Sequence, residues 1–75
     1  KAEALEFLIK ESSPVVGISL GELNLKRNIL ICSINRNGNN IIPTGQDKLE
    51  IGDSVIVVIT GQRLHDISDI LDGRG

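Results

Sequence analysis

The feature that most restricts the fold is a run of aliphatic residues at positions 54–60, Ser-Val-Ile-Val-Val-Ile-Thr. β-Branched side chains favour strands because they pack well on a pleated surface, so this run predicts a strand that ends at Gly61. It is the most hydrophobic strand candidate, and we expect it to be central in a sheet. With one Phe and no Trp, Tyr or Met, the core must be built from Ile, Leu and Val.

The chain is short, with 75 residues and no change of composition along its length, which indicates a single domain over residues 1–75. A domain of this size buries only about 60% of the surface that its unfolded chain exposes, so its stability margin is narrow. Small domains often recover stability by pairing with a second copy. We therefore expect a homodimer.

Charge and cysteine content exclude several classes of protein. The formal net charge is −2 with acids and bases mixed along the chain, so the basic surface and stacking aromatics of a nucleic-acid binder are missing. Cys32 is the single cysteine, which rules out an internal disulfide and fits a reducing compartment.

The longest apolar run, 55–59, is far shorter than the ~20 residues of a membrane span. The opening Lys-Ala-Glu-Ala is not a signal peptide, and we expect a soluble domain.

The first ten residues are ambiguous between helix and strand. Their Ala, Glu, Leu and Lys content favours a helix, whereas Leu5, Phe7 and Ile9 alternate as in a half-buried strand. We prefer a strand over roughly residues 5–9. Pro14 ends this segment, because proline lacks an N–H group and restricts the residue before it.

Two helices are predicted. Ser19 and Glu22 have the spacing of a capping box, which predicts a short helix that ends near residues 23–24. Near the C-terminus, apolar residues recur with the spacing of an amphipathic helix, with Gly73 as a plausible C-cap. The residues of that stripe are Leu64, Ile67, Ile70 and Leu71.

The middle of the chain predicts a hairpin and a tight turn. Residues 29–34 form a buried strand, Asn37 and Gly38 are typical of a two-residue type I′ turn, and 40–43 is the return strand. Residues 49–53 are a tight turn that leads into the central strand. The predicted order is β-α-β-β-β-α, an α+β domain with a strand hairpin and a C-terminal amphipathic helix.

Residues with catalytic chemistry do not form a recognisable constellation. His65 lies close in sequence to Asp66 and Asp69, but no nucleophile accompanies it, and we expect a solvent-facing helix residue. Cys32 should be a buried, inert thiol, because it lies in an apolar run with no cationic neighbour that would activate it. Turn formation explains the remaining acids better than a cation loop does. Those acids are Asp47, Glu50 and Asp53. The sequence does not indicate an enzyme, although turnover of a nucleotide by the purified domain would reopen that possibility.

Several segments together resemble a known family of regulatory domains. Residues 40–45, Asn-Ile-Ile-Pro-Thr-Gly, and 49–58, Leu-Glu-Ile-Gly-Asp-Ser-Val-Ile-Val-Val, resemble the C-terminal half of RCK domains, the regulators of K⁺ conductance. Residues 13–20, Ser-Pro-Val-Val-Gly-Ile-Ser-Leu, look like the first strand-to-helix turn of that family. Residues 64–71, Leu-His-Asp-Ile-Ser-Asp-Ile-Leu, are similar to the ending of Trk-type uptake regulators. The resemblance covers nearly the whole chain and points to a TrkA-C domain.

This resemblance implies a cytoplasmic regulatory and dimerisation domain of a potassium transport system. Such a domain would act on a Trk-type membrane subunit from the inner face of the membrane, through a change of conformation that a ligand or partner controls. In these regulators it follows a Rossmann domain that binds NAD or ATP. No phosphate-binding loop is present in this sequence, so no cofactor is assigned to these 75 residues, which we expect to be excised from a longer protein. The alternative is a passive RCK-like scaffold, without a ligand, on another cation or anion transporter.

The resemblance also implies a position for a ligand. Relatives bind small regulators such as cyclic di-AMP at the dimer interface, through the turn after the first helix and the strand that follows. The segment between Leu25 and Ile29 is shorter here than in the cyclic di-AMP binders, which would shift the register of those contacts. Arg27 or Lys26 could pair with a phosphate, whereas a solvated turn with two exposed cations is the open alternative. The matching positions here are Asn24, Leu25, Lys26, Arg27, Asn28 and Ile29.

Overall fold

The chain folds around one antiparallel sheet, as seen in a computed structural model that describes residues 1–61 and 63–72. Its strands are β1 (Ala2–Leu8), β2 (Ile29–Arg36), β3 (Asn39–Ile41) and β4 (Ser54–Thr60). They lie in the order β1-β4-β2-β3, so the central position predicted for the most apolar strand is confirmed. The hairpin is confirmed as well, because Asn37 and Gly38 join β2 to β3 with φ values of 53° and 81°.

The pairing of β4 with its two neighbours places alternate residues on a common inner face. On β4 the inner residues are Val55, Val57 and Ile59, each at most 1% exposed. Ile56 and Val58 point to the opposite, outer face, where they are half-buried. The sheet therefore has its main core on one side only.

A β-bulge in β2 allows apolar side chains on both sides of it to lie on the inner face of the sheet. The register with β4 shifts between Ile31 and Ser33, so Cys32 is an extra residue with no partner of its own on β4. Because side chains alternate along a regular strand, Ile31 and Ile34 would otherwise face opposite sides of the sheet. With the bulge, both are buried on the inner face. Cys32 is half-buried rather than buried, which corrects the expectation from the sequence.

Connecting segments, rather than long helices, cover the inner face of the sheet. Residues from the segment after β1, from the turn before β4 and from the segment after β4 pack against the inner side chains of the strands. Together they form one aliphatic cluster, as the composition requires. Its buried members are Ile9, Val15, Ile31, Ile34, Leu49, Val55, Val57, Ile59, Leu64, Ile67 and Ile70.

The short helix predicted after Ser19 forms only a single turn. The amides of Glu22 and Leu23 donate to the Ser19 carbonyl over 2.9 and 3.1 Å, and the Ser19 hydroxyl donates to the Glu22 carboxylate over 2.8 Å. The helix does not continue, because the Leu25 amide donates to the Leu23 carbonyl over 3.0 Å and the Lys26 amide to the Ile70 carbonyl over 2.9 Å, rather than to carbonyls one helical turn earlier. A bond to the C-terminal segment thus replaces one that a longer helix would make within itself.

The amphipathic helix predicted for the C-terminal segment is also shorter than expected. The segment contains one 3-10 turn, η1 (Ile67–Ile70), with Asp66 as its N-cap. Leu71 leaves helical geometry and forms an antiparallel bridge with Leu25. The apolar stripe correctly identified buried residues but not their conformation, and the predicted C-cap Gly73 lies outside the described residues.

A buried ion pair connects the end of β2 to the start of β4. Arg36 donates from Nε and Nη2 to the two carboxylate oxygens of Asp53 over 2.9 and 2.8 Å. Asp53 is 1% exposed and also accepts the Glu50 amide over 2.8 Å. Arg36 reaches further to the Lys48 carbonyl over 2.9 Å and to the Glu50 carboxylate over 3.0 Å. These hydrogen bonds, above all those from Arg36, hold the pKa of Asp53 below its usual value although burial opposes this.

We expect the Asp53→Ala variant to be about 3 kcal/mol less stable than the wild type, because it leaves Arg36 and the Glu50 amide without their buried acceptor. Urea unfolding at pH 7, followed by circular dichroism, measures this change. The matched control is Glu50→Gln, whose side chain is 61% exposed and should contribute less than about 1 kcal/mol. Equal losses in the two variants would contradict the assigned importance of Asp53.

Stability should also depend on pH through Asp53. A carboxyl group whose pKa is lowered by folding stabilises the protein above its unfolded pKa of about 3.9, and that stabilisation is lost as the pH falls towards the folded pKa. The difference in unfolding free energy between wild type and Asp53→Asn should therefore be largest above about pH 5 and shrink towards pH 3. Urea unfolding across this range tests the sign, and a difference that grows on acidification would contradict it.

Candidate functional site

The six residues proposed to contact a ligand form the turn that enters β2. The turn is held in place by an antiparallel bridge, in which the Lys26 amide donates to the Ile70 carbonyl over 2.9 Å and the Asp72 amide donates to the Asn24 carbonyl over 2.7 Å. Its other end is tied to β4, because the side chain of Asn28 donates to the Thr60 carbonyl. The backbone of this turn is therefore fixed on both sides.

The charged side chains of this turn differ in their surroundings. Lys26 is half-buried, and its charge helps to keep the pKa of Asp69 below its usual value, after the larger effect of backbone amides. Arg27 is exposed and forms no hydrogen bond or ion pair with residues 1–61 or 63–72. Its guanidinium group is thus available to an anion.

An apolar surface groove lies beside this turn, at the open edge of β2. β3 pairs with the last three residues of β2, and in the described part of the chain no strand pairs with the same edge of the first half of β2. The groove has a volume of about 210 Å³. Its walls are Leu20, Gly21, Leu25, Ile29, Leu30, Ile31, Pro43, Thr44 and Gly45.

The structure brings only part of the predicted site to this groove. Leu25 and Ile29 line it, whereas the other four predicted residues lie on the same turn outside its lining. The sequence reasoning missed most of the apolar wall, which includes Leu20, Leu30 and Pro43. No local pattern could have grouped these residues, because they come from three separate segments of the chain.

Other candidate residues do not gather into a reactive centre. His65 is exposed, as expected from the sequence, and its backbone amide donates to Asp69 over 2.9 Å. Asp47 accepts hydrogen bonds from Thr44, and Asp53 is occupied by Arg36. Residues 1–61 and 63–72 contain no group of three potential metal ligands. Within the same residues, no helix is long and apolar enough to cross a membrane.

A one-sided antiparallel sheet with an apolar groove beside a basic turn is an architecture that can bind a ligand or a partner. A profile of the TrkA-C domain family matches residues 4–72, and the chain belongs to this family. A solved structure described as "Structure of RCK domain with cda" superposes with a TM-score of 0.67 and 25% identity, covering 92% of this chain and 97% of that one. The RCK-like fold with its antiparallel sheet is thereby confirmed, whereas the predicted helices are not.

Curated relatives carry the names of potassium uptake proteins. The Trk system potassium uptake protein TrkA homolog of Archaeoglobus fulgidus is 40% identical over 58 residues, which are 77% of this chain and 13% of that protein. The homolog of Pyrococcus abyssi is 31% identical over 74 residues, which are 97% of this chain and 33% of that protein. This chain therefore spans one third or less of the length of these relatives.

One wall of the groove depends on close contact between two glycines, which gives a matched pair of variants. A Cβ added at Gly21 would lie 3.1 Å from the Gly45 carbonyl oxygen, whereas a Cβ added at Gly45 would meet Gly21 at an ordinary 3.6 Å. We expect Gly21→Ala to destabilise the domain by about 1–2 kcal/mol and Gly45→Ala to be within about 0.5 kcal/mol of wild type. Urea unfolding of both variants tests this, and equal effects would contradict the close packing of the two loops.

Proposed function

We propose that this chain is the C-terminal RCK domain of a Trk-type potassium-uptake regulator, and that it regulates a membrane K⁺ transporter without catalysing a reaction. The observation that carries this proposal is the TrkA-C family match over residues 4–72. The names of the curated relatives supply the transported ion.

The domain would be one part of a longer cytoplasmic protein that reaches the inner face of the membrane through the transporter. The relatives are at least three times as long as the matched region, which leaves room for further domains. We assign the binding of NAD or ATP to a separate Rossmann half and not to these residues. Two copies of the domain would pair, so a ligand that prefers one arrangement of the pair would shift the conformation of the whole assembly.

The groove and the adjacent turn suit a nucleotide-like ligand such as cyclic di-AMP. The apolar side chains of Leu25, Ile29 and Pro43 can cover the face of a base. Arg27, which has no partner in the described residues, can form a forked pair of hydrogen bonds with a phosphate. Base contact and phosphate contact would thus come from neighbouring parts of one turn.

The size of the groove favours a second candidate function. Its volume of about 210 Å³ is below the roughly 300–1,000 Å³ of typical small-molecule sites. A domain that binds no ligand and serves only as a dimerisation scaffold, on this or another cation or anion transporter, would need no larger cavity. The two functions differ in whether any small molecule stabilises the domain.

We expect cyclic di-AMP at ~100 times its dissociation constant to stabilise the purified domain by about 2.7 kcal/mol, a rise in Tm on the order of 10 °C. Thermal unfolding measures this shift, with cyclic di-GMP, ATP, ADP and NADH as comparison ligands. Arg27→Ala should abolish the shift, whereas the control Arg63→Ala, which is also exposed, should retain it. The absence of a shift with every ligand would contradict the sensing role and favour the scaffold.

A further inference from the structure

A second cavity lies between the turn after β1 and the capped turn η1. Its volume of about 440 Å³ is about twice that of the groove and falls within the roughly 300–1,000 Å³ of typical small-molecule sites. The cavity and the groove have no lining residue in common. The lining residues on which the argument depends are Phe7, Lys10, Ser13, Pro14 and Asp66.

Hydrogen bonds within the chain hold both walls of this cavity. On one side, the Ser13 amide donates to the Lys10 carbonyl over 3.0 Å and closes the turn after β1. On the other side, Asp66 Oδ2 accepts from the Ser68 amide over 3.0 Å, and the Asp69 carboxylate accepts from the Asp66 amide over 3.1 Å. A ligand would therefore meet a preformed site, which keeps the ordering cost of binding small.

The cavity carries charges of both signs that lie near each other without forming an ion pair. The charge of Lys10 helps to hold the pKa of Asp66 below its usual value, after the larger effect of hydrogen bonds from Ser68. Within residues 1–61 and 63–72, however, the ion pairs are those of Arg36. Both hydrogen bonds from Ser68 reach the same oxygen of Asp66, Oδ2. An ammonium donor and a carboxylate acceptor are thus both available to a ligand.

A buried hydroxyl in the cavity wall has no hydrogen-bond partner. Ser13 Oγ is buried, and none of the described residues bonds to it. An unsatisfied buried polar group costs about 1–3 kcal/mol. Rotation of this short side chain to another staggered position would turn the hydroxyl towards the cavity. Ser13 can therefore add a neutral donor beside the ammonium group of Lys10.

The mixed charge of the lining selects against ligands of a single sign. A simple anion would approach Asp66, and a simple cation would approach Lys10, and each approach is repulsive. Glu6 also lines the cavity, but its carboxylate accepts a hydrogen bond from the Ser54 hydroxyl. The described residues contain no group of three potential metal ligands. The ligand that fits this lining carries one positive and one negative group.

We propose that this cavity binds a free α-amino acid with an aliphatic side chain. Its carboxylate would accept hydrogen bonds from Lys10 and Ser13, and its ammonium group would donate to Asp66. Both charged groups of an α-amino acid are attached to one carbon atom, so they match two neighbouring side chains of opposite charge. The aliphatic side chain would lie against Phe7 and Pro14. This site goes beyond the proposed function, because it lies outside the groove.

Titration of the isotope-labelled domain with L-leucine, followed by amide NMR spectra, tests the site. We expect the amide signals of Lys10, Ser13 and Asp66 to shift and to saturate, whereas those of Lys26 and Arg27, on the turn beside the groove, stay unchanged. No shift with L-leucine, L-isoleucine or L-valine at about 10 mM would overturn the proposal.

Two analogues test whether the zwitterion is recognised. N-acetyl-L-leucine lacks the ammonium group and L-leucinamide lacks the carboxylate, so each loses one charge-assisted contact. Each should bind about tenfold more weakly than L-leucine, or weaker still. If either analogue binds as tightly as L-leucine, the assigned pairing of charges is wrong.

Variants of the two charged residues test the contacts from the side of the protein. Lys10→Gln and Asp66→Asn should each weaken L-leucine binding about tenfold or more, and asparagine preserves the N-cap of η1. The control is Lys48→Gln, because Lys48 is also exposed and lies outside the lining; its binding should equal that of wild type. Circular dichroism checks that each variant folds. Unchanged binding in Lys10→Gln and Asp66→Asn would overturn the site.

Ser13→Ala separates the hydroxyl from the charges. The variant should be at least as stable as wild type in urea unfolding, because it removes a buried group that has no partner, yet it should bind L-leucine more weakly. Wild-type affinity in this variant would overturn the role of Ser13. The test of the groove with cyclic di-AMP is independent of all these outcomes, since the two sites have no lining residue in common.

Discussion

The buried pair between Arg36 and Asp53 is the interaction on which much of the remaining structure depends. It joins the last residue of β2 to the residue before β4 and, through the Lys48 carbonyl and the Glu50 amide, fixes the turn between them. That turn places Leu49 in the core. Lys48 and Leu49 also form bridges to the segment after β1. A polar group buried this deeply is costly unless fully satisfied, so the pair specifies one arrangement of these loops.

The proposed ligand site is connected to the far edge of the sheet through β4. The groove lies beside the first half of β2, and β4 lies between β2 and β1. Asn28 links the turn of the groove to Thr60 at the end of β4, and Thr60 is in register with Ala2 of β1. A ligand in the groove would therefore act on the rest of the assembly only if the domain has two arrangements that ligand and partner favour to different extents.

Local patterns were reliable where a segment's conformation follows from its own residues. The β-branched run of β4, the Asn37-Gly38 turn and the alternation of Leu5, Phe7 and Ile9 all correspond to observed elements. Both predicted helices are longer than the observed turns, because the two segments form a bridge with each other in which the Lys26 amide donates to the Ile70 carbonyl. Of the proposed site, Leu25 and Ile29 could be located from the family resemblance, but the rest of the groove wall could not.

The sequence by itself determined an aliphatic sheet domain with a hairpin, because strand propensity, side-chain alternation and turn chemistry act between near neighbours in the chain. Only the tertiary structure decided that Asp53 pairs with Arg36, that a bulge at Cys32 turns Ile31 and Ile34 to the same face, and that β4 lies between β1 and β2. Each of these depends on contacts between residues far apart in sequence. Such contacts form only once the strands have been ordered and paired, and no local pattern specifies that order.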